Sequence, residues 1–433
     1  MPTTDLQSCE AVVAALGAEG DGILHADGRT LFGPYVLPGE LIRYRHGEAG
    51  RAIVERRLSD SPDRAQPPCS LFGRCGGCSL QHMRAAAAVA FKYQQVADAL
   101  RGAGFALPET VTTHSSPPST RRRMDLALRR NREGLLIGLH EPRRGEIVDM
   151  TECHVLHPRL LRLVEDMRPV LMRLASLRGS GSAIVNLLDS GPDLVLATDA
   201  PPDTADRARL ADFAREAGVP RIAWRPLKPG GTPETVCAVA PVRHTLSGVA
   251  VRPPPDGFLQ ATREGEAAIV EAVLDAMPKA WPRRGRVVEL YAGCGTLTYA
   301  LARRGCVLAA EGHPASAACL RAASGGLPIT VLARDLNRQP ILAADLARAS
   351  AVVLDPPFAG GGPQMHEVAR SGVERIVMVS CNPKALRRDA EMLQEAGYAL
   401  ERLSVIDQFV WSTQVESVAC FVRPRQPRHV KHR

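Results

Sequence analysis

From about Gly257 to the C-terminus, short apolar runs alternate with stretches of helical character, and this alternation limits the fold more than any other feature of the 433-residue chain. The runs are 287–290, 307–310, 329–333, 351–354 and 376–380. Runs this apolar, broken only by Glu289, Thr330 and Ser380, suit strands covered on both faces, and their alternation with helices predicts a doubly wound, Rossmann-like parallel sheet of the α/β class. A final pair, 403–407 and 418–422, reads as a hairpin. Ligands in such sheets bind beyond the carboxyl ends of the strands, so the residue that follows each strand becomes a candidate for function.

Those residues are chemically consistent. The first strand runs into Glu289-Leu-Tyr-Ala-Gly-Cys-Gly295, where Gly293 and Gly295 let backbone approach a ligand closely. Glu311 ends the second strand, Asp335 follows the third and Asp355 follows the fourth. Glu311 suits a ribose diol, and Asp335 suits an adenine amino group. One acid at a strand end is often a helix cap. A succession of them makes an acidic cleft, which favours a cationic ligand carrying sulfonium and ammonium groups, S-adenosylmethionine (SAM). The loop also lacks the third spaced glycine of a dinucleotide site.

Cys381 follows the fifth strand in Ser380-Cys-Asn-Pro383, at the expected mouth of the cleft. A thiolate there can add to carbon 6 of a uracil ring, leaving carbon 5 nucleophilic and able to take a methyl group. A base must then remove the carbon 5 proton so that the thiol can leave. Glu416, the carboxylate beside the last strand, is the candidate base; the bland alternatives are a buried structural cysteine and a solvated loop acid.

The rest of the chain divides at Pro253-Pro254-Pro255 and at the Pro-rich stretch 61–68. Residues 1–62 read as short strands (11–16, 22–25, 30–32, 41–46, 51–58) between turn signals, which predicts a small barrel of the oligonucleotide-binding kind. Residues 63–250 read as an α+β unit, with a helix at 83–102, strands at 124–128, 135–139 and 147–150, a helix at 156–177 and further strands at 183–188, 194–198 and 221–224. Residues 251–433 form the SAM-binding unit.

Eleven cysteines in a chain with no secretory leader point to metal, catalysis or burial rather than to disulfides. Cys69-x5-Cys75-x2-Cys78, joined by the distant Cys153, can enclose tetrahedral zinc or a [4Fe–4S] cluster, with His82 and His154 as alternative ligands. No apolar run is long enough to span a bilayer, so the expected setting is cytoplasmic, without a membrane partner and as a monomer. The net charge of +8, with arginines clustered at 121–123, 129–132 and 143–144 and a basic tail at 423–433, suits a polyanion, nucleic acid first.

Together these motifs resemble the RNA uracil-5 methyltransferases over nearly the whole chain. Gly33-Pro-Tyr-Val-Leu-Pro-Gly-Glu40 through Ser61-Pro62 is similar to that family's RNA-binding TRAM domain, and Pro68 through His82 is similar to its cluster motif. In the cluster-bearing members, which include the 23S rRNA enzymes, the four cysteines hold [4Fe–4S]. Phe258-Leu-Gln260 resembles the family's Phe-x-Gln motif. The resemblance implies that Gln260, Tyr291, Thr296, Glu311, Asp335 and Asp355 contact SAM, that Cys381 is the nucleophile and Glu416 the base, and that the substrate is RNA, with 23S rRNA first. A tRNA methyltransferase, or an RNA-binding assembly protein of the same fold with reduced catalysis, is the alternative. Three departures surround the expected substrate pocket: Thr296 for a common Asn, Phe358 for a common Arg after Asp-Pro-Pro, and Val410-Trp-Ser-Thr-Gln414 for a stretch usually reading Phe-Pro-x-Thr-x-His.

Overall fold

The computed structural model describes residues 8–228, 230–278 and 285–423; the basic tail beyond Arg423 lies outside them. The C-terminal runs form the expected strands Arg286–Leu290, Cys306–Glu311, Ile329–Ala333, Ala351–Leu354 and Arg375–Ser380, all parallel. Arg286–Leu290 lies between Cys306–Glu311 and Ala351–Leu354, so the strand order reverses there and opens a crevice at the carboxyl ends. Glu416–Val422 inserts antiparallel between Arg375–Ser380 and Ala399–Asp407, giving the hairpin a neighbour on each side. Side chains alternate across the sheet. Val288, Leu290, Val352 and Leu354 pack one face against Val96, Leu100, Leu386 and Leu393, while Val287, Val353 and Val377 pack the other against Ile269, Val273 and Leu301.

One segment departs from the expected division. Helix Ala85–Gly102 and strand Val111–Ser115 fall inside the 63–250 unit but belong to this C-terminal sheet, where Val111–Ser115 pairs in parallel with Ala399–Asp407 as the edge strand. The sequence offered no sign of this, because a parallel neighbour nearly 300 residues away leaves no local pattern. Lys92 of the same helix is fully buried and donates to Asp407 at 2.5 Å and to the Phe409 carbonyl at 2.9 Å.

The rest of the middle segment is a seven-stranded sheet running from Ile147–Asp149 at one edge to Glu234–Ala238 at the other. Pro158–Leu171 is the expected helix, shortened because His157 caps it ahead of Pro158. Thr204–Glu216 is a helix that the sequence reading missed. Asp203 caps it, and Leu210, Phe213 and Ala214 supply a narrow apolar stripe in a polar segment.

At the N-terminus two three-stranded sheets share one small core of Val13, Leu24, Leu31, Val36, Ile42, Tyr44 and Ala52. The expected strand 11–16 is two strands, Cys9–Val12 and Ala15–Leu16. Val13 N–H donates to the Glu40 carbonyl and Ala14 N–H to that of Ile23, so the chain changes sheet between them. Among the described residues no helix is long and apolar enough to cross a membrane.

Candidate active site

The sheet brings its strand ends to one edge. Asp355 follows Ala351–Leu354, Cys381 follows Arg375–Ser380, and Gln408 follows Ala399–Asp407. Glu416 begins a strand that runs the opposite way, so its N-terminal end meets their C-terminal ends; Ser417 pairs with Ser380.

Three of these side chains, Asp355, Gln408 and Glu416, join with Gln260 in one largely buried chain of hydrogen bonds. Gln260 Nε2 donates to Asp355 Oδ2 at 3.3 Å, and Gln260 Oε1 accepts from Gln408 Nε2 at 2.7 Å. Gln408 Nε2 also donates to Glu416 Oε2 at 2.9 Å. The amide orientation is fixed because Gln408 Oε1 accepts from the Ala261 backbone N–H at 2.9 Å. Gln260 and Gln408 therefore bridge two carboxylates, Asp355 and Glu416. Glu416 Oε1 is buried without a partner.

Burial sets the protonation of this group. It pushes the Asp355 carboxyl up to about 7. Glu416 rises well above the usual carboxylate range, by burial and by the charge of Asp355, while the Gln408 hydrogen bond pulls it back down. Burial pushes the Cys381 thiol up to about 12, with the charges of Glu416 and then Asp355 adding to the effect. A thiol so placed is protonated at neutral pH until positive charge or a proton acceptor reaches it.

The glycine loop stands beside this edge. Gly295 has φ 106°, and a Cβ there would come within 2.5 Å of the Tyr299 ring and 2.7 Å of Leu320, so a side chain is excluded twice over. A Cβ on Gly293 would meet nothing within 4 Å, so that glycine faces open space while its N–H donates to Glu311 Oε2 at 2.7 Å. Tyr291 holds a left-handed φ of 63° and donates its hydroxyl to the Gly361 carbonyl at 2.8 Å. Thr296 opens the helix Thr296–Ala302, and its carbonyl accepts from Ser247 Oγ. Asp335 is exposed beside the Glu311 strand end, its backbone 3.2 Å from where a Gly312 Cβ would stand. An open backbone approach flanked by Glu311, Asp335 and Asp355 fits a cationic nucleoside such as SAM.

Two residues were not anticipated. Gln408 obeys the same strand-end rule as the acids, and that rule could have found it. Glu289 is buried beneath the loop with Oε2 unpartnered, and burial pushes it up to about 8, so it is largely uncharged at neutral pH.

The four cysteines converge on Cys381 from the other side. Cys69, Cys75, Cys78 and Cys153 line a cavity of about 470 Å³ that Cys381, Arg121 and Phe409 also line. Burial raises the thiols of Cys69, Cys75 and Cys78, the last to about 12, and the charge of Cys153 adds to each. Among the described residues no group of three or more His, Cys, Asp or Glu is disposed to hold a single metal ion. His82 packs its ring 6.0 Å from Tyr35 and 5.6 Å from Phe72 with both ring nitrogens buried and unpartnered, and His154 contacts Glu152 at 3.3 Å.

Comparisons with known proteins place the chain in a family. The model of the tRNA (Uracil-5-)-methyltransferase family matches residues 331–423, which include Asp335, Asp355, Cys381 and Glu416. The chain is similar over almost its full length to uncharacterized RNA methyltransferases of Rhizobium meliloti (36% identity over 93% of this chain and 97% of the relative) and Caulobacter vibrioides (37%, 96% and 100%). It is 33% identical, over 96% of its own length and 97% of the relative's, to the 23S rRNA (uracil(1939)-C(5))-methyltransferase RlmD of Alkalilimnicola ehrlichii. Its fold matches that of Pyrococcus abyssi tRNA (uracil-54, C5)-methyltransferase in complex with S-adenosyl-L-homocysteine, with a TM-score of 0.72 and 21% identity over 96% of this chain and all of that one. With relatives of this identity aligned end to end, the chain belongs to the RNA uracil-5 methyltransferase family, whose members transfer the SAM methyl group to uracil carbon 5.

Proposed function

We propose that this enzyme methylates carbon 5 of a uridine in 23S rRNA, with Cys381 as nucleophile and Glu416 as base. The observation that carries the reading is the pairing of a strand-end thiol with a buried carboxylate whose Oε1 has no partner and whose charge bears directly on that thiol.

The steps follow from the groups present. The Cys381 thiol first gives up its proton to solvent; the thiolate Sγ then bonds to carbon 6 of the uracil, and the electron pair displaced from the carbon 5–carbon 6 double bond makes carbon 5 nucleophilic. Bound SAM supplies the methyl group. Glu416 Oε1 takes the carbon 5 proton; the electrons of that C–H bond restore the ring double bond as the carbon 6–sulfur bond breaks. Gln408 keeps Glu416 oriented and favours its ionised form. Glu311 and the Gly293 and Gly295 backbone would hold the cofactor, with Tyr291 and Thr296 shaping the loop, Asp335 at its adenine end and Gln260 and Asp355 at its reacting end. The RlmD relative supports the rRNA assignment over tRNA.

We assign a [4Fe–4S] cluster to Cys69, Cys75, Cys78 and Cys153. All four are thiols around one cavity, and a cubane cluster holds its ligands at separated corners, so a tight single-ion cage is not required. The N-terminal sheets, within 8–62, act as the RNA-binding TRAM domain, the cluster pins the seven-stranded middle unit, and 251–433 together with Ala85–Gly102 and Val111–Ser115 carries the chemistry.

The test is transfer of labelled methyl groups from SAM to total rRNA and tRNA, followed by mapping of 5-methyluridine. Label at one uridine of 23S rRNA is expected. Label confined to tRNA would move the enzyme to the alternative substrate, and label in neither would overturn the activity.

A further inference from the structure

Two of the three departures from the family pattern meet at the nucleophile. A second cavity, of about 610 Å³, lies on the far side of Cys381 from the thiol-lined one. Only Phe358, Cys381 and Gln414 line both, so they form the ridge between the two spaces. Phe358 stands where the family commonly has Arg, and Gln414 where it commonly has His.

We propose that Phe358 is a stacking platform for a second, unpaired base of the RNA, the neighbour of the target uridine, received in the cavity that Phe91, Lys384 and Arg387 also line. Resting on the uracil-5 reading, this adds a subsite that sets which RNA is accepted. Phe358 is 60% exposed on the ridge beside Cys381, so its ring face is open to receive a base. It cannot easily withdraw. Pro356 and Pro357 stiffen the approach, Gly360 N–H closes a turn onto the Pro357 carbonyl at 2.7 Å, and Asn382 Nδ2 donates to the Phe358 carbonyl at 2.9 Å.

The two cavities differ in what they suit. The thiol-lined one is mostly apolar, with Leu71, Leu139, Val148 and Met150 in its wall. The other carries Lys384, and Arg387 beside its partner Glu391, where a phosphate could lie next to an aromatic face for a base, the combination that holds single-stranded nucleic acid; Glu19 and Asp98 line the same space. One uracil ring at Cys381 leaves the second space free, and a flanking nucleotide is the group tethered within reach of it. Replacing a family Arg by Phe exchanges a charge contact for a stacking contact, which changes preference from backbone toward unpaired base.

The test uses the full-length protein with short single-stranded RNA containing one 5-fluorouridine and, beside it, either 2-aminopurine or an abasic ribose. The parent is expected to quench the 2-aminopurine on binding and to bind the abasic RNA about 10-fold more weakly, within the ~5–150-fold that stacking of one base supplies. Phe358→Ala should lose the quench and bind both RNAs alike, Phe358→Trp should keep both properties, and SAM affinity should be unchanged in each. Equal quenching in the parent and Phe358→Ala, or an abasic penalty that survives in Phe358→Ala, overturns the subsite. Once equilibrium binding has been read without SAM, adding SAM to those same samples should give a covalent 5-fluorouridine adduct, which would leave the uracil-5 reading standing; its absence in the parent would count against that reading separately.

Discussion

Cys381 and the four remote cysteines line one cavity of about 470 Å³, and the groups around them are held in opposite ways. On one wall Cys381 stands by a chain in which Asp355, Gln260, Gln408 and Glu416 hold one another through amide hydrogen bonds, all from strand ends or the segments against them. On the other, Cys69, Cys75 and Cys78 lie on a run of turns joined to the rest by Gly76 N–H to the His140 carbonyl and by Ser70 N–H to Glu152, with Cys153 on a separate loop. The catalytic wall is built by the sheet and holds its geometry unaided. The cysteine wall is built by loops, and the proposed cluster would tie its four thiols to one another. The first set should therefore report on chemistry and the second on stability.

Substitutions on the catalytic wall break the comparison most severely. Cys381→Ala should lower methyl transfer about 10⁴-fold or more, because no other group can form the bond to carbon 6; labelled SAM transfer measures it. Glu416→Gln should cost about 10²–10⁴-fold and also accumulate methylated RNA covalently attached to protein, visible on a denaturing gel, since the adduct forms but cannot lose its proton. Gln408→Met removes one hydrogen bond to a charged group and should cost about 10–100-fold. The pH profile fixes the sign: Gln408 lowers the Glu416 pKa, so its loss should raise that pKa and move the acid limb of kcat to higher pH. An unmoved limb with reduced kcat would make Gln408 a packing residue only.

The cysteine wall should behave differently. Cys78→Ser is expected to strip iron from anaerobically prepared protein and to lower Tm by about 5 °C or more, as loss of a structural centre does. SAM affinity should stay within about 2-fold, because the cofactor loop rests on a different part of the chain. Parent protein that holds no iron would remove the cluster from the account.

The same contrast decided what the sequence disclosed. Apolar runs at regular spacing located five parallel strands and, through them, Glu311, Asp335, Asp355 and Cys381, because a buried strand writes its period into consecutive residues. Gln408 escaped since a glutamine carries no obvious chemistry until its partners are in place. Val111–Ser115 escaped because its partner strand is remote, and Thr204–Glu216 because its apolar stripe is narrow in a polar segment. The convergence of the four cysteines on the cavity of Cys381 is a tertiary fact that no local spacing encodes.

The measurement that bears most directly on the catalytic account is the site of covalent attachment. Full-length protein is incubated with SAM and RNA containing 5-fluorouridine, whose carbon 5 has no removable proton, then digested with nuclease and protease for mass spectrometry. The account predicts a single methylated fluorouridine nucleotide on the peptide carrying Cys381. Attachment to any other cysteine, or no attachment to protein while the same RNA binds, would contradict it.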